Sequence, residues 1–264
     1  MNAQELILTN VLKCRRMDLY LNRPELSPEQ DVKFKELTRR FEAGEPVQYL
    51  IGECEFYGLD FAVDERVLIP RPETEVLVEE VIKTFAQDLG PIHIVDLGTG
   101  SGNIAVALAK HIPSAHVTAV DYSREILSLA LENARRNDVD SKIEFVYSDI
   151  FAGFNKMFRG KSFDALVSNP PYIPTEQLNS LPLIVQKEPA KALDGGVDGL
   201  DFYRCIENKS YAFLKRGGKI FLEIGDDQTD AIAEIFRTQN GWREVKFLPD
   251  YSGRTRIFKA IKHF

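Results

Sequence analysis

Between residues 168 and 174 the chain reads Ser-Asn-Pro-Pro-Tyr-Ile-Pro, an asparagine set ahead of two prolines and a tyrosine. Asn169 offers a side-chain carbonyl and Pro170 a backbone carbonyl. A planar amide or aromatic amine nitrogen is a poor nucleophile, because its lone pair is delocalised, and it carries two N–H donors. Two fixed acceptors can grip both hydrogens and hold that nitrogen in line with an incoming group. They also stabilise the positive charge that grows on it. Prolines stiffen the loop and remove backbone donors that would compete for the acceptors. Tyr172 supplies a flat face on which a planar group can stack. Asn169, Pro170 and Tyr172 are therefore the catalytic candidates, and Asn169, Pro170, Pro171 and Tyr172 together the candidate substrate cradle. No general base is needed, since the substituted nitrogen becomes acidic and can shed its proton afterwards. The histidines, His93, His111, His116 and His263, do not cluster, and no metal site is expected.

A second stretch, Asp96-Leu97-Gly98-Thr99-Gly100-Ser101-Gly102, follows an apolar run. Its glycines allow a sharp turn and close approach of backbone to a ligand. The helix after it presents free N–H groups. Asp121, about twenty residues on, can accept hydrogen bonds from both hydroxyls of a ribose. The glycines alternate as GxGxG and do not have the GxGxxG spacing of dinucleotide sites. With Asp96 two residues ahead of them, the pattern resembles that of class I methyltransferases, which implies S-adenosyl-L-methionine as cofactor. Asp96, Gly98, Thr99, Gly100, Ser101, Gly102 and Asp121, with Asn169, are the candidate cofactor residues.

Both motifs need a frame. Buried strands are expected at Ile-His-Ile-Val-Asp-Leu (92–97), 116–121, 143–149, 163–169 and 219–225, with helices between them. Near-continuous apolar strands alternating with helices predict a doubly wound, mostly parallel sheet covered on both faces. Two final runs, 242–248 and 255–262, have little between them and predict an antiparallel pair at the sheet edge. The fold class is thus α/β, a seven-stranded Rossmann-like sheet with an antiparallel edge. Residues 1–50 carry helical signals only. Ser27-Pro28-Glu29-Gln30 is a capping box with proline at the first helical position. Aromatic and β-branched residues around Gly58 predict a hairpin joining this segment to the sheet. The expected division is 1–50 helical, 51–74 hairpin and linker, and 75–264 catalytic.

Several stretches, LIPRPETEVLVE (68–79), DLGTGSGNIAVALA (96–109), VSNPPYIP (167–174) and EPAKALDGGVDGLDFYR (188–204), closely resemble the HemK-type release-factor glutamine N5-methyltransferases. EIGDDQ (223–228) and YSGRTRIF (251–258) do so too. The resemblance runs from about residue 45 to the end. It implies methyl transfer to the side-chain amide nitrogen of the glutamine in the Gly-Gly-Gln motif of class 1 peptide chain release factors, with the N-terminal helices helping to hold that partner. It also implies that Asp149 and Ile150 line the adenine side. Thr74 reads as a helix cap or as part of a stretch near the cleft. Gly195–Gly199 reads as a flexible loop over the substrate or as a surface turn. NPPY motifs also serve enzymes acting on adenine in DNA or on ribosomal RNA, but a basic domain would be expected there. A non-catalytic module that has kept the fold is the third alternative.

Composition agrees with the catalytic reading. A net charge of −7 offers no global attraction to nucleic acid, and 44% hydrophobic residues suffice for a core. Three separated cysteines suit a reducing compartment. With no signal-peptide pattern and no long apolar run, a cytoplasmic monomer away from membranes is expected.

Overall fold

The computed structural model describes residues 2–22, 24–149, 158, 162–237 and 241–263. The N-terminal helices are α1 (Ala3–Leu12), α2 (Arg16–Leu21), α3 (Pro28–Glu42) and α4 (Val47–Ile51). At the start of α3 the Ser27 hydroxyl accepts from the Gln30 amide, and the Gln30 side chain accepts from the Ser27 amide. Ile7, Val11, Leu37 and Val47 meet in a small core of their own. Four buried side chains are too few to stabilise such a unit strongly, and it is tied to the remainder of the chain. The Tyr49 hydroxyl donates to the Val67 carbonyl at 2.6 Å.

A hairpin comes next, β1 (Glu53–Phe56) against β2 (Leu59–Ala62), turning at Tyr57-Gly58. Then come α5 (Pro72–Phe85), β3 (Ile92–Leu97), α6 (Asn103–His111), β4 (Ala115–Asp121), α7 (Arg124–Arg136), β5 (Ile143–Tyr147) and β6 (Phe163–Ser168). After a long connection come α8 (Asp201–Ser210), β7 (Leu214–Glu223), α9 (Thr229–Arg237), β8 (Trp242–Pro249) and β9 (Thr255–Lys262).

The seven-stranded sheet has the order β5-β4-β3-β6-β7-β9-β8. Strands β3 to β7 run parallel and β9 runs antiparallel to both its neighbours. The reversed strand therefore lies one place in from the edge, and β8 is outermost. Strand β7 starts at Leu214, earlier than the apolar run suggests, because the register shift between Phe163 and Ala165 absorbs the Gly217-Gly218 pair inside the strand. Two apolar clusters cover the two faces, one built on β3, α5 and α6, the other on β6, β7 and α8. Among the described residues no helix is long and apolar enough to cross a membrane.

Strand order reverses between β3 and β6. In an open parallel sheet, the connections leaving such neighbours diverge to opposite faces and open a crevice at the carboxyl ends. Both motifs open onto that crevice.

Candidate active site

Three glycines adopt left-handed backbone in alternation after β3: Gly98 (φ 70°), Gly100 (φ 53°) and Gly102 (φ 82°). A residue with a Cβ takes this conformation at a cost of about 1–2 kcal/mol, so the spacing is a backbone requirement. The amides of Gly98 and Thr99 both donate to the Val120 carbonyl at 2.9 Å, folding the loop back over β4. The Gly100 amide donates to Asp121 at 3.0 Å, and so does Tyr122's own amide at 2.8 Å. Burial raises the Asp121 carboxyl, against the pull of these amides. Asp96 lies beneath the loop, fully buried, and accepts from the Thr99 hydroxyl at 2.7 Å. Burial pushes its carboxyl up to about 7, and the Thr99 hydroxyl opposes that shift.

A cavity of about 450 Å³ opens at the switch point, lined by Gly98, Thr99, Gly100, Ser101, Asp121 and Asn169 among others. That volume suits a cofactor-sized ligand. A Cβ at Gly98 would meet nothing within 4 Å, so the loop leaves open space above itself. Tyr122, Ile126 and Asp149 extend the lining at the far side. Ile150 lies outside the described residues. Two expected cofactor residues stand apart from the lining. Asp96 supports the loop from below. At Gly102 a Cβ would come within 3.1 Å of the Ala130 Cβ, so this glycine lets α6 start against α7.

The NPPY segment leaves β6 beside the glycine loop. The Ser168 hydroxyl donates to the Leu97 carbonyl at 2.7 Å, joining the two strand ends. Asn169 and Pro171 face the cavity, and Pro170 is buried. Tyr172 does not line this cavity. Its ring packs against the second apolar cluster and borders a neighbouring cavity with Gln228 and Arg256. Its hydroxyl approaches Glu223, and burial beside that carboxylate raises the phenol well above its usual range.

Behind Asn169 runs a chain of hydrogen bonds that residue patterns did not reveal. Asn169 Nδ2 donates to Thr74 Oγ1 at 3.0 Å, and Thr74 Oγ1 donates to Glu223 Oε2 at 2.6 Å. Thr74 and Glu223 are each 1% exposed. Thr74 is thus no helix cap: Arg71 occupies the N-cap position of α5, and the Thr74 hydroxyl points across to β7. The available signal was Glu223 itself, a carboxylate closing an apolar strand.

Of residues 195–199, Gly195 and Gly199 are buried, while Val197 and Asp198 between them form a turn on the surface. A Cβ on Gly195 would lie 2.8 Å from both the Tyr172 and the Gly199 Cα atoms. Here backbone packs on backbone: the Gly195 amide donates to the Ile173 carbonyl at 2.8 Å. Gln228 closes the contact, donating from Nε2 to the Tyr172 carbonyl at 2.9 Å and the Gly199 carbonyl at 3.2 Å. On the other side of the cavity, buried Glu188 accepts from the Ile69 amide at 3.1 Å and pairs with Arg71. That pairing ties the 190–194 wall to the Pro70-Arg71 wall. Asn133, fully buried on α7, holds Ala62 through both backbone groups and donates to the Ser101 carbonyl at 2.8 Å.

Residues 72–193 match the family model of the methyltransferase small domain, and residues 2–52 that of the PrmC N-terminal domain. A release factor glutamine methyltransferase of Moorella thermoacetica is 44% identical over 238 residues, spanning 90% of this chain and 82% of that protein. Its counterpart in Bacillus cereus is 38% identical over 263 residues, spanning 98% and 92%. The chain belongs to the release factor glutamine methyltransferase family. It is a methyltransferase, and its methyl donor is S-adenosyl-L-methionine. A methyltransferase from Pyrococcus furiosus, 21% identical, shares the fold with a TM-score of 0.58 over 87% of this chain and 100% of its own.

Proposed function

We propose that this enzyme methylates the side-chain amide nitrogen of the glutamine in the Gly-Gly-Gln motif of class 1 release factors. One observation carries the reading: Asn169 and the Gly98–Ser101 loop line the same cavity. A group gripped at Asn169 therefore lies beside a molecule held by the glycine loop.

The residues present fit the cofactor. Gly98 and Gly100 leave the loop open to its amino-acid end, and Asp121 keeps acceptor capacity for a ribose hydroxyl beyond the amides of Gly100, Tyr122 and Ser123. Tyr122, Ile126 and Asp149 flank the place for the adenine. When bound, S-adenosyl-L-methionine supplies an electrophilic methyl group. Asn169 Oδ1 and the Pro170 carbonyl accept the two N–H bonds of the substrate amide and orient its nitrogen toward that methyl. The same two acceptors stabilise the positive charge on nitrogen as the bond forms, and the methylated nitrogen then loses a proton to solvent. Tyr172 holds the loop through its packing and its carbonyl. The helical segment up to about residue 50 offers the recognition surface for the release factor, with 51–74 as connector and 75–264 as catalytic unit. The enzyme works as a cytoplasmic monomer.

The deciding experiment offers labelled S-adenosyl-L-methionine to three acceptors: a bacterial class 1 release factor, the same factor with its Gly-Gly-Gln glutamine changed to alanine, and total DNA plus RNA. Label on the first alone is expected. Label on nucleic acid would overturn the reading. In parallel, Asn169→Ala is expected to keep cofactor binding and lose roughly 100-fold or more in turnover.

A further inference from the structure

An asparagine amide can face a ligand with either end, and only its carbonyl end can accept the N–H bonds of a substrate amide. We infer that Thr74 and Glu223 are positioning residues that fix the direction of the Asn169 amide, turning its carbonyl toward the substrate. The inference rests on the reading of Asn169 as a substrate acceptor.

Hydrogen-bond polarity sets that direction. An ionised carboxylate only accepts, so at 2.6 Å Glu223 Oε2 takes the single hydrogen of the Thr74 hydroxyl. With that hydrogen committed, Thr74 Oγ1 can only accept from Asn169, and the group 3.0 Å away is Nδ2. The Asn169 carbonyl is left for the cavity, which this residue lines. A flipped amide would set Asn169 Oδ1 against an oxygen with no hydrogen to give. Solvent is kept from this relay, because Thr74 and Glu223 are each 1% exposed. The three side chains come from α5, β7 and the end of β6, and no two of them are neighbours in sequence. Glu223 does not line the cavity, and Thr74, which does, has its Oγ1 committed to Glu223 and Asn169. Bonds in such a chain also polarise one another, which makes the outward carbonyl a better acceptor.

Protonation would undo the direction. A neutral Glu223 can donate to Thr74, freeing the threonine hydrogen to bond Asn169 Oδ1 and turning the NH2 end to the cavity. The groups that face Glu223 are Thr74 and Glu73 of α5, Tyr172 after β6, Tyr203 of α8 and Arg256 of β9. Burial dominates and raises the carboxyl to about 7, with Thr74 and Arg256 pulling it down and Glu73 pushing it up. The active polarity is accordingly present above that pH and lost as pH falls through it.

The test measures kcat, KM, cofactor affinity and melting temperature for four variants, with a class 1 release factor as acceptor. Thr74→Val is expected to lower kcat roughly 100-fold, as loss of a fixed polar group at a charge-developing site does. Its affinity for S-adenosyl-L-homocysteine should stay within about threefold. Thr74→Ser, which restores the hydroxyl, is expected to recover kcat to within about threefold of wild type. Glu223→Gln, nearly isosteric, is expected to lower kcat about tenfold and abolish its rise through pH 7. Asn169→Ala separates the positioning role from the acceptor role. If it is inactive while Thr74→Val and Glu223→Gln retain wild-type kcat and pH profile, the positioning role is wrong and the acceptor reading survives. If Asn169→Ala itself keeps wild-type turnover, both fall. Should Thr74→Val melt far below wild type, Glu223→Gln decides alone: a persisting pH step overturns the inference.

Discussion

Replacing Gly195 by alanine adds one methyl group at a place where the backbone of the NPPY segment leaves no room. Gly195 has no left-handed requirement, so the added Cβ is the whole perturbation. It would lie 2.8 Å from the Tyr172 Cα, the Gly199 Cα and the Gly199 carbonyl oxygen. Carbon–carbon contacts relax at about 3.5 Å or more, so these atoms must retreat by at least roughly 0.7 Å. All three are backbone, and no side-chain rotation relieves them. Overpacking of this kind costs about 1–3 kcal/mol, and the upper end applies where nothing flexible can yield. Retreat of Tyr172 also stretches the bond from Gln228 to its carbonyl, worth about 1 kcal/mol. A loss of about 3–4 kcal/mol corresponds to a fall in melting temperature of roughly 6–16 °C for a chain near this size. Turnover should fall further than stability suggests, because a shift approaching 1 Å in a positioning loop costs on the order of 100-fold. Gly90→Ala is the control, since its Cβ would meet nothing within 4 Å. Thermal melting and labelled methyl transfer, run on both variants, read the two effects. If Gly195→Ala matched Gly90→Ala in melting and in kcat, the backbone-on-backbone account of this segment would be refuted.

Three further outcomes are expected. Asn133→Leu removes three hydrogen bonds and strands the buried Ala62 amide and the Ser101 carbonyl. It should cost about 3 kcal/mol or more in urea denaturation, and a loss under about 1 would exclude the bridging role. Asp121→Ala should weaken S-adenosyl-L-methionine binding roughly 10- to 100-fold by calorimetry, the worth of hydrogen bonds to a charged acceptor, and unchanged affinity would remove Asp121 from the site. Glu223 is raised by burial from 4.5 to about 7. Such an acid is neutral folded and unfolded at low pH, and it opposes folding increasingly as pH climbs from its unfolded value through its folded one. Glu223→Gln should therefore gain stability relative to wild type between pH 5 and pH 8, by on the order of 3 kcal/mol. A difference that does not grow with pH contradicts that burial cost.

The local chemistry was written in the sequence because it is set by single residue types at fixed spacing. Alternating glycines at 98, 100 and 102 are demanded by left-handed backbone, and that demand depends on no distant contact. The capping box at Ser27, the apolar strands and the turn at Gly58 are likewise decisions of neighbours in the chain. What the tertiary structure decided is which side chains meet across it. Thr74 and Glu223 are 149 residues apart and join only because α5 packs over β7. Gly195 gives no sequence sign that its hydrogen faces the Tyr172 backbone, and the tyrosine's turn away from the cavity comes from a cluster assembled by β6, β7 and α8. A motif fixes which groups are offered. The direction of an amide and the orientation of a ring depend on long-range packing and on satisfying buried polar groups, which local spacing does not encode.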